Sequence, residues 1–487
     1  MPDESVRPVP ESEISAWDFS ADVVVAGYGI AGVAAAVEAA RAGADVLVLE
    51  RSGGWGGAAS MAGGFIYLGG GTPLQKACGF DDTVENMKTF MKAALGPAVD
   101  DAKIDAYCEG SVDHYNWLVE AGVPFKEEFW GEPGWEPAHD EGLMYSGGEN
   151  AAPFADVIPP APRGHLPKMD NKKTGERGGG YMLMKPLVET AEKLGVKAEY
   201  DIRVLTVVVN DDGRVVGVVA RRYGRTIAIR ANRGVVLAMG SLAFDEEMVR
   251  DYVPALLGRP GSAVDAHDGR AIRIGQALGA ATAHMDAAEV AVHTSPRLMV
   301  RGIIVNAHGQ RFITEDTYPG RIGQAMLFHQ NNEAFLIIDQ QTHDEVMGPG
   351  SAGLQPTWVC ESAAELEAEM GLPAGALTST VNLYNTHAES GSDPMFSKNE
   401  KWVRPIGTPI AAFDLRGMTS GFPLGGLKTT VDSEVLHVSG ERIQGLFAAG
   451  RCTAGVCAGG YASGASLGDG SFFGRRAGKA AAASDQG

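Results

Sequence analysis

The feature that most limits what this chain can fold into is a thirty-residue unit at positions 21–50. Asp22-Val-Val-Val-Ala26 has strand composition, Gly27-Tyr-Gly-Ile-Ala-Gly32 comes next, and an Ala-rich, helix-favouring run from Val33 to Arg41 is stopped by Gly43. Asp45-Val-Leu-Val-Leu-Glu50 reads as a second buried strand. In such a unit Gly27 permits the tight turn, Gly29 lets a pyrophosphate approach the backbone, and Gly32 lets helix and strand pack closely. The helix N-terminus at Ile30 and Ala31 offers unpaired N–H groups to phosphates. Glu50, 18 positions after Gly32, is placed to accept bonds from ribose hydroxyls, and its charge argues against a 2′-phosphate. The unit therefore predicts a dinucleotide site. The alternative is a glycine-tight turn that binds nothing.

The rest of the chain supplies enough material for two domains or slightly more at about 100–200 residues per domain. Glycine is abundant, 65 of 487 residues, yet keeps no three-residue period, which excludes collagen. With 41 basic and 61 acidic residues the net charge is −20, which argues against nucleic acid and anionic membrane surfaces. Five scattered cysteines do not form a disulfide framework, and without CxxC or CxxCH no zinc ribbon, c-type haem or other metal site is expected. A reducing cytoplasm is the simplest compartment. The longest early uncharged stretch, 52–75, holds nine glycines and makes a poor membrane helix, so no membrane span is expected.

Periodicity predicts helices over 82–95, 101–121, 181–194 and 268–278, and strands over 202–209, 214–221, 225–230 and 235–240. Residues 125–180 combine 17 Gly plus Pro with many aromatics, which suggests an irregular packed excursion rather than a linker. Beyond residue 286 the pattern predicts a hairpin over 298–312 turning at His308-Gly309, a strand over 334–339 and helices over 361–369 and 376–385. The expected organisation is a nucleotide-binding domain, 1–285, interrupted by a second domain, 286–435, and completed by 436–487.

FAD is favoured over NAD by the residues just after Glu50. A second glycine-rich loop, Arg51 to Ser60 and on through Gly63 and Gly64, suits a cofactor whose far end lies along the backbone, with Gly57 and Ala58 at the contact. Val204 and the strand ending Ala238-Met-Gly240 are further candidates. Near the other end, Gly450 comes after a strand and Ser466-Leu467-Gly-Asp469 lies where a helix begins, placed to stabilise negative charge on a reduced flavin.

These residues together resemble the flavoprotein superfamily of fumarate reductases, succinate dehydrogenase flavoprotein subunits and 3-ketosteroid dehydrogenases. The resemblance runs through Val235 to Gly240, Ile304-Val-Asn306, Gly309-Gln-Arg-Phe312, Leu377 to Asn385, Gly425-Gly-Leu427 and Ile443 to Gly450. It implies an α/β (α+β overall) fold: a Rossmann-like FAD-binding domain of glutathione-reductase type interrupted by an α+β capping domain, with the active site between them. Dicarboxylate enzymes need arginines to grip two carboxylates. Here no Arg or His occurs between Arg451 and Arg475, and the arginine position reads as Ser466. No His lies between Glu50 and Gly71, so non-covalent FAD is expected.

The ending Gly459-Gly-Tyr461-Ala-Ser463-Gly, with Tyr318 in Thr317-Tyr-Pro-Gly-Arg321, is similar to the Δ4-(5α) group of ketosteroid dehydrogenases, as are Tyr145-Ser-Gly-Gly-Glu149 and Pro162-Arg-Gly-His165. The resemblance implies three roles: Tyr461 donates to the C3 oxygen of a hydrophobic ketone, Ser463 takes the C4 proton, and Tyr318 relays it. Serine is a poor base without a helping neighbour, so the Ser463–Tyr318 pairing carries the assignment. The alternatives are 1,2-desaturation, a fumarate-reductase-like enone reduction, and a flavin electron carrier without catalysis of its own. The external electron acceptor is left open.

Overall fold

The computed structural model describes residues 5–169, 178–347 and 354–485. Its largest element is a nine-stranded sheet. Phe19–Ala26 pairs in parallel with Val46–Leu49 on one side and with Arg225–Leu237 on the other. Val23, Val24 and Val25 are fully buried, as a parallel strand covered on both faces requires. The strand Arg442–Ala448 returns to pair with residues 235–237, so sequence-distant strands meet at the middle of the sheet.

The expected unit is present: strand Phe19–Ala26, helix Ile30–Arg41, strand Val46–Leu49. The helix starts earlier than the Ala-rich run, because its first turn is formed by the glycine motif itself. It lies against the last long helix, Ala465–Ala483, in a close backbone-to-backbone contact. A Cβ at Gly474 would sit 2.5 Å from the Ala31 carbonyl oxygen, and one at Gly478 would sit 2.1 Å from that of Ala35. Both contacts are below any real van der Waals distance, so those glycines set the spacing of the two helices.

Three expectations are corrected. The predicted strands 225–230 and 235–240 are one strand, Arg225–Leu237, with a register shift between Ala231 and Gly234. The predicted helix 101–121 is two, Asp101–Glu109 and Ser111–Glu120, divided at Gly110, where a Cβ would lie 2.5 Å from the Phe472 ring. In the predicted hairpin 298–312 the turn at His308-Gly309 is present, with Val305 and Arg311 bridged antiparallel across it, but the first arm is shorter than expected: Pro296–Met299 is helical and the strand is Ile303–Asn306.

A four-stranded sheet is built from Ile303–Asn306, Ala334–Asp339, Ile410–Asp414 and Trp358–Cys360. All its strands come from within the stretch expected to form the capping unit. Its connection to the large sheet includes an antiparallel ribbon, Ala288–Val292 with Thr419–Pro423. Helix Pro319–His329 packs on that ribbon, where Gly323 approaches the Val290 carbonyl. The aromatic-rich excursion forms short paired strands, among them Leu143–Met144 and Gly164–His165. Part of it, 170–177, lies outside the described residues. All five cysteines are free thiols.

Candidate active site

One long cavity runs from the glycine motif to the C-terminal loop. At its near end two glycines of the turn have no room for a side chain. Gly27 has φ +103°, and a Cβ there would lie 2.3 Å from the Ala238 carbonyl oxygen; a Cβ on Gly32 would lie 1.9 Å from that of Gly27. Glu50 is buried at the strand end, where its carboxylate accepts the Tyr28 and Ser52 amides, both at 2.8 Å. These two bonds fix a negative charge at the rim of the cradle.

Of the residues predicted to hold a cofactor, Gly27, Gly29, Ile30, Ala31, Glu50, Arg51, Gly57, Ala58, Gly63, Gly64, Val204, Ala238, Gly240, Gly450, Ser466 and Leu467 line this cavity. Gly32, Ser60 and Asp469 do not. Gly32 acts inside the turn. Ser60 Oγ donates to the Gly57 carbonyl at 3.1 Å. Asp469 is buried behind the wall, accepting the Val456 amide at 3.1 Å, and burial raises its pKa. The segment Ser262 to Arg270 also lines the cavity, and no sequence motif announces it. Only its place in space marks it, although Asp268, which bridges Arg51 at 3.2 Å and Arg203 at 2.9 Å, is a visible acid before a helix.

The cavity fits an extended dinucleotide cofactor on two structural grounds. The glycine turn leaves backbone N–H groups open to phosphates, with nothing nearer than 3.8 Å to a Cβ at Gly29. Ser466 Oγ, on the cavity wall at the start of helix Ala465–Ala483, is buried and has no hydrogen-bond partner among the described residues. Such an atom calls for a ligand.

At the far end Tyr461 and Ser463 line the same cavity, and Ser463 also borders a smaller one shared with Tyr318. The tyrosines are nearly buried, with ring centroids 6.5 Å apart. Tyr461 Oη accepts the Ser466 amide at 3.3 Å, which leaves its own proton free to be donated. Burial, above all, raises its pKa, so it is a hydrogen-bond donor rather than an acid. Tyr318 borders the same small cavity as Ser463, close enough for the serine hydroxyl to lower its pKa slightly, while burial first and the carboxyl of Glu289 next raise it. The structure thus brings the three predicted catalytic residues together. Cys452 and Cys457 are buried, with thiols pushed up to about 12 by burial.

What holds Ser463 is the turn at 146–149, inside the excursion. Ser463 N donates to the Ser146 carbonyl at 2.8 Å, and Ser146 Oγ donates to the Ser463 carbonyl at 2.9 Å. Glu149 in turn accepts the Ser146 and Gly147 amides at 3.2 and 2.8 Å and the Tyr67 hydroxyl at 2.9 Å. A Cβ at Gly148 would lie 2.8 Å from Thr317 Oγ1 and 3.1 Å from Tyr318 N, so the turn also abuts Tyr318. Ser146→Ala is therefore expected to slow turnover on the order of ten-fold through misplacement of Ser463, with the cofactor retained. Steady-state rates beside cofactor-to-protein ratios check this, and a rate within two-fold of the parent would refute it.

A family of FAD binding domains matches residues 22–467. Among solved structures, the chain is similar to the 3-ketosteroid-Δ4-(5α)-dehydrogenase of Rhodococcus jostii RHA1. That match has 68% identity and a TM-score of 0.96, and covers 98% of this chain and 100% of that one. The 3-oxo-5α-steroid 4-dehydrogenase of Comamonas testosteroni is 26% identical over 89% of this chain and 93% of its own. A 3-oxosteroid 1-dehydrogenase of Mycobacterium tuberculosis is 28% identical over 89% of this chain and 93% of its own.

Proposed function

The chain belongs to the FAD binding domain family, and from that premise we propose that it is an FAD-dependent dehydrogenase introducing the C4–C5 double bond into 5α-3-ketosteroids. The observation that carries this reading is the placing of Tyr461 and Ser463, with Tyr318 beside them, at one end of the cavity whose other end is the glycine cradle. The Rhodococcus jostii enzyme was solved in complex with 4-androstene-3,17-dione, the product class this reaction would give.

FAD, when bound, supplies the hydride acceptor. Gly27, Gly29 and the N-terminus of helix Ile30–Arg41 would hold its pyrophosphate, Glu50 its ribose, and Ser466 with the last helix its ring system. Everything else falls to side chains. Tyr461 donates its free proton to the C3 oxygen and stabilises the charge that develops there as the C4 proton leaves. Ser463 takes that proton while its own passes to Tyr318, the neighbour a serine base requires. Phe422, whose ring packs on Tyr461 at 5.6 Å, offers the apolar wall a steroid ring needs.

The second reading, 1,2-desaturation, is favoured by likeness to the 1-dehydrogenase. Product analysis separates the two. Incubation with 5α-androstane-3,17-dione and an artificial electron acceptor is expected to yield the 4-ene. A 1-ene as the main product would overturn the assignment of regiochemistry.

A further inference from the structure

Tyr318 cannot be the last station of a proton: it is buried, and each turnover must return it to its starting state. The ribbon under the site carries an acid that none of these steps uses. Glu289 lies on the strand Ala288–Val292, directly opposite Phe422 in the antiparallel register. Residues so paired share one face of a ribbon. Phe422 lines the large cavity and packs on Tyr461, so Glu289 lies on the cavity side. It is 5% exposed.

The groups around Glu289 are few. From the helix on the ribbon comes Tyr318 at its N-terminus, and from the C-terminal loop comes Tyr461; the Glu289 charge acts on both. Arg321 of that helix turns away, donating to the Ala94 carbonyl at 3.0 Å with its guanidinium 4.7 Å from the Phe154 ring centre. Gln324 is taken up by the Ala288 carbonyl at 2.8 Å. The paired strand contributes Phe422 and Ser420, and His293 lies just past the end of Glu289's own strand. No described residue donates to the Glu289 carboxyl or forms an ion pair with it, and burial is the single influence on its acidity. That influence moves it from 4.5 to about 8. An unpaired buried carboxyl is costly to keep, and such groups cluster where protons are handled.

We propose that Glu289 accepts the proton that Tyr318 receives from Ser463, and so acts through Tyr318 as the next station of the relay. The inference rests on the 4,5-dehydrogenation reading. In the step, the C4–H bond breaks and its electron pair enters the enolate. Ser463 Oγ gains that proton and gives its own to Tyr318 Oη, whose proton passes by way of one water in the site, rather than a direct bond, to the Glu289 carboxylate. The hydrogen on C5 leaves with its electron pair to FAD, so the steroid loses two electrons and one proton reaches Glu289. The same face of the ribbon continues at Ser420, opposite Ala291, whose hydroxyl lies 2.7 Å from His293 Nε2 and 3.1 Å from Ser262 Oγ. This polar row leads the proton toward the exposed His293.

The acceptor must be ionised, and this sets the sign of the pH dependence. Below the Glu289 pKa the carboxyl already holds a proton and the relay stalls; above it the relay runs. The test is anaerobic single-turnover bleaching of FAD absorbance by saturating 5α-androstane-3,17-dione from pH 6 to 9.5. The parent rate is expected to rise with pH and level off above about pH 8. In Glu289→Gln the rising limb disappears and the rate at pH 9 falls at least ten-fold; Glu289→Asp, which keeps the acid, retains a limb. Superimposable profiles for the parent and Glu289→Gln would overturn the inference, as would a parent profile flat between pH 7 and 9, which needs no variant. Absence of bleaching in the parent at every pH sinks the steroid reading instead.

Discussion

Tyr461→Phe is expected to slow anaerobic flavin reduction by a 5α-3-ketosteroid about 10²–10³-fold while FAD stays bound, the cost typical of losing one oxyanion-stabilising donor. The change removes a single oxygen. The ring keeps its contacts with Phe422 and Tyr318, so the cavity keeps its shape. What disappears is a hydroxyl whose oxygen is held by the Ser466 amide and whose proton is free to meet a ketone. The Ser466 amide remains but would have to span the gap left by the phenol. Stopped-flow absorbance gives the reduction rate, and the flavin-to-protein ratio gives occupancy. A variant that reduces its flavin within three-fold of the parent rate would show that Tyr461 is only a wall.

Asp82→Ala carries the largest expected effect on stability. Arg163 and Asp82 have fully buried side chains and form a two-pronged pair, Nη2 to Oδ1 at 2.7 Å and Nε to Oδ2 at 2.9 Å. Asp82 also accepts the Gly70 amide at 3.0 Å and the Gln75 side-chain amide at 3.2 Å. Removing the carboxylate leaves a guanidinium buried without its counter-charge, which costs about 3–5 kcal/mol. The loss travels to the active site, because Arg163 adjoins Gly164–His165, which pairs with Leu143–Met144 just before the Ser146 turn. Urea denaturation of the FAD-loaded protein measures it. A loss below about 1 kcal/mol would mean the pair is far better solvated than its burial indicates.

How much of the molecule is legible in sequence depends on how far apart the partners lie. The cradle from Gly27 to Glu50 is local: strand, turn, helix and acid succeed one another, and each residue type answers a constraint within the unit. The single strand Arg225–Leu237 reads as two in sequence because Asn232-Arg-Gly234 looks like a turn, whereas the sheet absorbs it as a register shift. Gly110 inside an otherwise periodic stretch hides a helix boundary imposed by Phe472, a residue far along the chain. Tyr461 and Ser463 stand out because they share one loop and a family pattern. Tyr145-Ser-Gly-Gly-Glu149 shows through the same pattern, but the grip of Ser146 on Ser463 joins residues 317 positions apart. Glu289 gives no signal at all. One acid in an apolar strand has no periodicity, and its meaning comes from Phe422 and Tyr318 facing it.

The pairing of the glycine-motif helix Ile30–Arg41 with Ala465–Ala483 also bears on how the protein is made. A ribosome releases the first of these helices early and the second after roughly 420 more residues, which at ~5–20 residues per second leaves an interval of about 20–85 seconds. Through that interval the apolar flank of the earlier helix, with Ala31, Ala34 and Ala35 on it, lacks the surface that finally covers it. Residues 235–237 in the middle of the large sheet wait about half as long for Arg442–Ala448. The nascent chain therefore carries an unfinished nucleotide cradle throughout synthesis of the capping segment, with an apolar surface that only the last helix covers.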